Sequence, residues 1–276
     1  MLALGYNTNG FAHHALDDAL DVIAGLGYSG VGLTLDVHHL NPLRATPAEV
    51  AAVARRLGTL GLRCAVETGA RYILDPRRKH EPSLVSADPE GRARRLDLLL
   101  RCVDIAADLG AEAIALFSGR RDPAQGDEGE AWRRLEWGVS RVLDRAVARG
   151  VRVGFEPEPG HMVDTLEKYE RLEDALGLDL GLTLDLGHVP CAETFSIVEA
   201  VSRYAGRAVN VHIEDIRDRA HEHLPFGEGD IDFSPVLDAL ETQGYRGLVT
   251  VELSRHSHDA PEQARRAFEF LTSVRA

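Results

Sequence analysis

The sequence predicts an α/β fold in which eight parallel strands and their helices close into one (β/α)8 barrel, and three observations carry that prediction. A single unit recurs along the 276 residues: an alanine- and arginine-rich helical stretch, a glycine, then a short apolar run. Capping side chains stand at several helix starts in the same register. No linker or low-complexity segment divides the units, so residues 1–276 read as one domain.

Taken in order, "LALGYN" supplies the first strand, and "LGYSGVGLTL", "LGLRCAVE", "LGAEAIALF", "RGVRVGFE", "LGLDLGLTLD", "AGRAVNVHIE" and "QGYRGLVTVE" supply the rest. Gly27, Gly61, Gly110, Gly150, Gly177, Gly206 and Gly244 each stand where a left-handed helix C-cap would precede a strand. Thr46-Pro47 with Glu49, Asp88-Pro89, Asp164 with Glu167, and Ser234-Pro235 mark helix starts. Unbroken strand–helix alternation requires an all-parallel sheet, and closing it as a TIM barrel leaves no edge. A doubly wound open sheet is the alternative, but "TNGFAHH" follows the first strand in place of a phosphate-cradling G-x-G-x-x-G turn.

Composition narrows the function classes. A net charge of −13 repels a phosphate backbone, which disfavours nucleic acid as a partner. Cys64, Cys102 and Cys191 are odd in number and far apart, which fits a reducing compartment and argues against a disulfide framework or a cysteine-based zinc site. The chain enters its first strand without a basic leader, and no apolar run approaches membrane length. The expectation is a soluble cytoplasmic protein with no membrane partner.

In such a barrel, catalytic groups sit at the C-terminal strand ends and in the loops behind them. The fifth to eighth runs end "VGFE" at Glu156, "LTLD" at Asp185, "VNVH" at His212 and "VTVE" at Glu252. One polar residue at a strand end reads as a cap or ion-pair partner. Three carboxylates and an imidazole on one rim repel unless a cation or shared protons compensate. A divalent metal is the simplest compensation, and this oxygen-rich set favours Mn²⁺ or Mg²⁺, with Co²⁺ or Zn²⁺ admitted by the imidazole. His188, close behind Asp185, is left with three roles: substrate contact, a second metal, or a cap.

The motifs "FEPEPG", "LTLDLGH", "VNVHIEDI", "HLPFGEGDIDF" and "VTVELS" span the C-terminal half, and in order and spacing they resemble the xylose isomerase-like TIM-barrel superfamily. That superfamily holds ketose 3-epimerases, hydroxypyruvate isomerase, inosose dehydratase, 3-dehydroshikimate dehydratase and endonuclease IV. The resemblance implies that Glu156, Asp185, His212 and Glu252 ligate one divalent metal and that His188 touches substrate oxygens. It also implies that Glu156 and Glu252 move protons on opposite faces of a sugar, through a metal-stabilised cis-enediolate. The third run ends at Glu67 and the fourth at Ser118, where endonuclease IV would offer histidines, so support for phosphodiester cleavage is lost. His221 and His223 could join His188 at a second metal, or His223 opens the "H-x-P-x-G-x-G" loop as a positioning residue.

Between Glu67 and Asp88 lies "TGARYILDPRRKHEPSLVSA", long for a compact domain and so a lid or binding-loop candidate. It carries Arg71, Arg77, Arg78, Lys79 and His80; later loops on the same face add Arg120, Arg121, Arg217 and Arg219. Basic residues gathered on one face point to an anionic substrate, a sugar phosphate or sugar acid, with charge balance of the acidic rim as the plainer reading. Of these, Arg71, Lys79, Arg120 and Arg217 join His188, His223 and Glu158 as substrate-binding candidates. Glu158, two beyond Glu156, points to the opposite side if the chain stays extended. His13-His14 and His38-His39 edge the first two loops, and Trp132 and Trp137 read as packing or subunit-contact residues, which leaves a homo-oligomer open.

The functional expectation is a metal-dependent isomerase or epimerase of a small sugar, sugar phosphate or sugar acid. A dehydratase of a cyclic keto-polyol would use the same site, and a catalytically silent binding barrel is disfavoured by retention of both glutamates.

Overall fold

The computed structural model describes residues 2–178 and 180–274. The chain runs β1 (Ala3–Asn7), α1 (Leu16–Gly25), β2 (Gly30–Thr34), α2 (Pro47–Leu60), β3 (Arg63–Glu67), α3 (Pro89–Leu109), β4 (Ala113–Leu116) and α4 (Glu128–Arg149). It continues through β5 (Arg152–Phe155), α5 (Leu166–Leu176), β6 (Gly181–Asp185), α6 (His188–Ala192), α7 (Ile197–Tyr204) and β7 (Ala208–Ile213). The hairpin β8 (Asp215–Arg217) and β9 (Ala220–Leu224) precedes α8 (Phe233–Thr242), β10 (Leu248–Val251) and α9 (Ala260–Ser273). Eight of these strands form a closed barrel in the order β1-β10-β7-β6-β5-β4-β3-β2, and β8-β9 is a separate two-stranded sheet.

Closure is parallel throughout: β1 pairs with β2 on one side and with β10 on the other, Leu4 opposite Val249 and Tyr6 opposite Val251. Strands covered on both faces read as continuous apolar runs, and β2 and β4 are buried along their whole length. The outer helices bury one stripe each. In α4 that stripe is Trp132, Leu135, Val139, Val142 and Ala146, at the three- and four-residue spacing of one helix face. Trp137 lies off the stripe and stays exposed, with Arg141 over its ring.

Helix ends follow the capping chemistry with instructive departures. Thr46 and Glu49 form a reciprocal capping box on α2, and Asp88 accepts hydrogen bonds from the first backbone amides of α3. Gly61, Gly110, Gly150 and Gly177 close helices in the left-handed conformation, whereas Gly206 does not adopt it, because α7 ends one residue earlier on a right-handed Ala205. Helix α5 is capped by Thr165, since Asp164 is drawn into an ion pair with Lys168. Asp232 caps α8, two residues ahead of the expected Ser234. Strand β4 ends at Leu116, two residues short of Ser118. No helix among the described residues is long and apolar enough to cross a membrane.

Candidate functional site

Strand register brings the four charged strand ends together. Asp185 closes β6 and lies directly opposite His212 of β7; Glu156 and Glu252 are the residues immediately after β5 and β10. His212 Nδ1 sits 3.2 Å from Glu156 Oε1, 3.1 Å from Glu252 Oε2 and 3.8 Å from Asp185 Oδ2. Asp185 Oδ1 accepts a hydrogen bond from the backbone N–H of His188, which opens α6, while its buried Oδ2 has no hydrogen-bond partner among the described residues. One donor atom from each of the four residues lies within 4.8 Å of the others. Opposite ligands of an octahedral Mg²⁺-sized ion lie about 4.2 Å apart, so the set has the dimensions and the unsatisfied oxygen that a divalent cation needs.

Charge in this cluster is compensated by protons. Burial raises Glu156 to about 8, with Glu252 and Asp185 adding to the rise against the pull of His212. Burial would lower His212, but Glu67 and Glu156 overcome it and hold the imidazole well above its ordinary value. Burial would likewise raise Glu252, yet the hydrogen bond from His212 holds it well below the carboxylate range. A protonated Glu156 beside an imidazolium and an ionised Glu252 is how a buried rim of like charges stays together in the absence of a cation.

Neighbouring side chains hold these four residues in place. Glu67 Oε1 accepts from Asn210 Nδ2 at 2.8 Å and lies 3.1 Å from His212 Nε2, so Nε2 faces a carboxylate and Nδ1 faces the cluster. Asn9 Nδ2 donates to Glu252 Oε1 at 2.9 Å and Asn7 Nδ2 to Glu252 Oε2 at 3.4 Å. Asn7 needs Gly32 beside it, because a Cβ there would fall 1.6 Å from Asn7 Oδ1. No contact between these residues follows from their positions along the chain. The recurrent polar residue at each strand end, Asn7 and Glu67 included, was the only sign that they belong to the site.

A second cluster adjoins the first. His188 Nε2 lies 3.0 Å from His221 Nε2, which lies 2.8 Å from His223 Nε2; the three imidazoles also form a group that could hold a metal. His188 Nδ1 faces the Pro157 carbonyl at 3.0 Å, and His223 Nδ1 lies 3.5 Å from buried Glu214. Burial lowers His188 and takes His221 down to about 3, with the neighbouring imidazoles adding to the latter, so these two rings are uncharged. The loop that follows His223 and β9 is organised by Asp215, whose carboxylate accepts from the amides of Ile216, Gly227, Gly229 and Ile231.

Both clusters border a cavity of about 760 Å³ at the C-terminal end of the barrel. Glu67, Glu156, Glu252, His212, His221 and His223 line it, while His188 lies behind His221 outside the wall. Glu158 lines it too: the chain turns after Pro157, so Glu158 falls on the same side as Glu156, 3.8 Å from His188 Nε2. Of the basic residues, Arg71, Lys79 and Arg120 line the cavity, joined by Arg255, which the sequence reading did not single out. Arg217 is exposed on β8 and is not part of the wall. Arg78 turns away to Asp75, and Arg219 is bound to the Glu193 carbonyl. The loop after β3 is fastened and not a free lid, since Arg92, Arg94 and Arg95 of α3 donate to its carbonyls and Leu74, Leu84 and Val85 are buried.

Comparison with known proteins agrees with this architecture. The chain is 24% identical over 233 residues to inosose dehydratase of Glaesserella parasuis, covering 75% of this chain and 74% of that one. It is 26% identical over 200 residues to L-ribulose-5-phosphate 3-epimerase of Shigella flexneri, covering 71% and 69%. A solved D-allulose 3-epimerase from a Methylomonas species, in complex with D-allulose, superposes with a TM-score of 0.78 at 20% identity over 99% of this chain and 96% of that one. The family model described as xylose isomerase-like TIM barrel matches residues 20–274, and the chain belongs to that family.

Proposed function

We propose that the protein is a divalent-metal-dependent isomerase or epimerase of a small sugar or sugar derivative, working in the cytoplasm. The observation that carries the reading is the pair Glu156 and Glu252: delivered by separate strands, both line the cavity and both lie within 3.2 Å of one atom, His212 Nδ1. Glu156, Asp185, His212 and Glu252 would hold Mn²⁺ or Mg²⁺, which when bound supplies Lewis-acid polarisation of a substrate carbonyl. Glu252, steadied by Asn9 and Asn7, takes a carbon-bound proton on one face, and Glu156, carrying a proton drawn from solvent, gives one to the other. Glu158, His221 and His223 offer hydrogen bonds to hydroxyl groups, with His188 fixing His221 from behind.

A dehydratase is the second reading, favoured by the relatives named inosose dehydratase. There Glu252 would take the proton and Glu156 would give its own to a departing hydroxyl, which leaves as water. Metal-loaded protein incubated in D₂O with ketose epimer pairs and with inososes separates the two: deuterium at carbon without loss of water marks isomerisation, and loss of water marks dehydration. Glu156→Gln and Glu252→Gln keep an oxygen for the metal and should each lower turnover by about 10²–10⁴-fold. Near-normal turnover in both variants overturns the proton-transfer assignment.

A further inference from the structure

The cavity is electrically two-ended. Its strand ends carry the carboxylates of Glu67, Glu156 and Glu252; the loops carry Arg71 and Lys79 after β3, Arg120 after β4 and Arg255 after β10, with Glu81 and Glu158 as the acidic residues among them. Three separate loops therefore bring four cations to one mouth in a chain with 44 acidic and 31 basic residues. Two of the four are oriented without being neutralised: Arg71 Nη2 donates to the Ser254 carbonyl at 2.9 Å, and Arg255 Nη2 to the His221 carbonyl at 3.0 Å. Lys79 and Arg120 form no ion pair among the described residues. Partial burial, Arg71, Arg120 and Arg255 lower the Lys79 amine, and only Glu158 opposes them from across the cavity.

The imidazoles at this end report the same excess of positive charge. His80 and His161 line the cavity, and burial, with Lys79 or Arg120 among the added causes, takes them to about 3 and about 2. Each has a buried Nδ1 without a hydrogen-bond partner. Four cations facing two carboxylates, Glu81 and Glu158, beside neutral imidazoles with a free ring nitrogen form an environment complementary to an oxyanion with several acceptor oxygens. The volume allows for it, since about 760 Å³ lies well up the range of roughly 300–1,000 Å³ used for drug-sized ligands and exceeds what a bare sugar fills.

We infer that the substrate is a sugar or polyol ending in a phosphate or carboxylate, clasped by Arg71, Lys79, Arg120 and Arg255 while its carbonyl end lies between Glu156 and Glu252. The inference rests on the isomerase or epimerase reading for the carbonyl end only; the clasp itself is a binding claim. Arg77, Arg78, Arg217 and Arg219, equally basic in sequence, take no part, because none of them lines the cavity.

The test is calorimetric binding of inorganic phosphate, ribulose, ribulose 5-phosphate, glucose and gluconate to metal-loaded wild type, to Lys79→Ala/Arg120→Ala and to Lys79→Arg. Phosphate binding is repeated on metal-free protein so that the metal itself is not the anion site. Expected are millimolar binding of inorganic phosphate that persists without metal and weakens with salt, and at least one anionic compound bound at least 10-fold tighter than its neutral counterpart. The double variant should lose at least about 10-fold in affinity for the anions, and Lys79→Arg should retain it. Preference for ribulose 5-phosphate over gluconate identifies phosphate as the end group, and the reverse identifies a carboxylate. Absence of phosphate binding in wild type, or equal anion affinity in wild type and the double variant, overturns the clasp. Anion binding without proton exchange on any compound leaves the clasp standing and removes the isomerase reading; exchange on neutral sugars with no anion preference does the opposite.

Discussion

The carboxylate cluster and the histidine cluster lie side by side, joined where His188 Nε2 comes within 3.4 Å of Asp185 Oδ2, yet they meet opposite electrostatic problems. Glu156, Asp185 and Glu252 bring excess negative charge, and an imidazolium at His212 with a proton on Glu156 holds it in place. His188, His221 and His223 bring three ring nitrogens to one point, with the Asp185 and Glu158 carboxylates beside His188 Nε2, and burial keeps His188 and His221 uncharged. The first set is oxygen-rich and suits a hard divalent ion; the second is nitrogen-rich and suits hydrogen bonding to hydroxyls or a borderline ion such as Zn²⁺. Adjacent side chains of one rim thus acquire different chemistry from their outward partners: Glu67 behind His212, the Pro157 carbonyl behind His188, and Glu214 beside His223.

The largest expected effect tests this division directly. Asp185→Ala should abolish stoichiometric Mn²⁺ binding and activity, because it removes the buried oxygen that has no hydrogen-bond partner among the described residues. His221→Ala should leave Mn²⁺ content unchanged and act on substrate affinity. Elemental analysis after dialysis against Mn²⁺ checks both. Loss of Mn²⁺ from His221→Ala as well would break the comparison and merge the clusters into one binuclear centre.

An intermediate effect is expected at Glu67, which sharpens the claim that outward partners decide ligand character. Glu67→Gln keeps the size of the side chain but removes the carboxylate facing His212 Nε2. Loss of such a partner costs about 10–100-fold in metal affinity or activity. A competition titration with a fluorescent chelator measures the affinity, and an unchanged value would show that Asn210 alone orients the imidazole.

The four strand-end residues could be read from the sequence because alternation along a strand and a glycine before it locate the strand end to within a residue. What surrounds them could not. Glu67 meets Asn210 across 143 residues and Asn9 meets Glu252 across 243, contacts created by barrel closure. The β8-β9 hairpin escaped notice because its strands are short and mostly polar, and its turn places Asp218 and Arg219 at positive φ in place of the usual Asn-Gly signal. For the basic loops the sequence located the rim but not side-chain direction, so Lys79 and Arg78, adjacent in sequence, have different surroundings: one lines the cavity and the other pairs with Asp75.

The smallest effect concerns stability, and it sets the two clusters against each other by sign. In metal-free protein His221 has a folded pKa of about 3 against an ordinary 6.5, so unfolding takes up a proton below that value. Its neutral form therefore contributes stability that is fully present above about pH 6.5 and is lost as pH falls toward 3. His212 is raised, so its contribution is fully present below about pH 6.5 and is lost as pH rises through its folded pKa. Replacing His221 by glutamine should flatten the fall of stability between about pH 6.5 and 4.5, by at most about 1.4 kcal/mol per pH unit for one proton. Replacing His212 by glutamine should flatten only the alkaline side. Denaturant melts of the two variants across pH read both slopes, and a His221→Gln curve parallel to wild type on the acid side would mean that the second cluster already carries a proton in the folded state, erasing the distinction between the two.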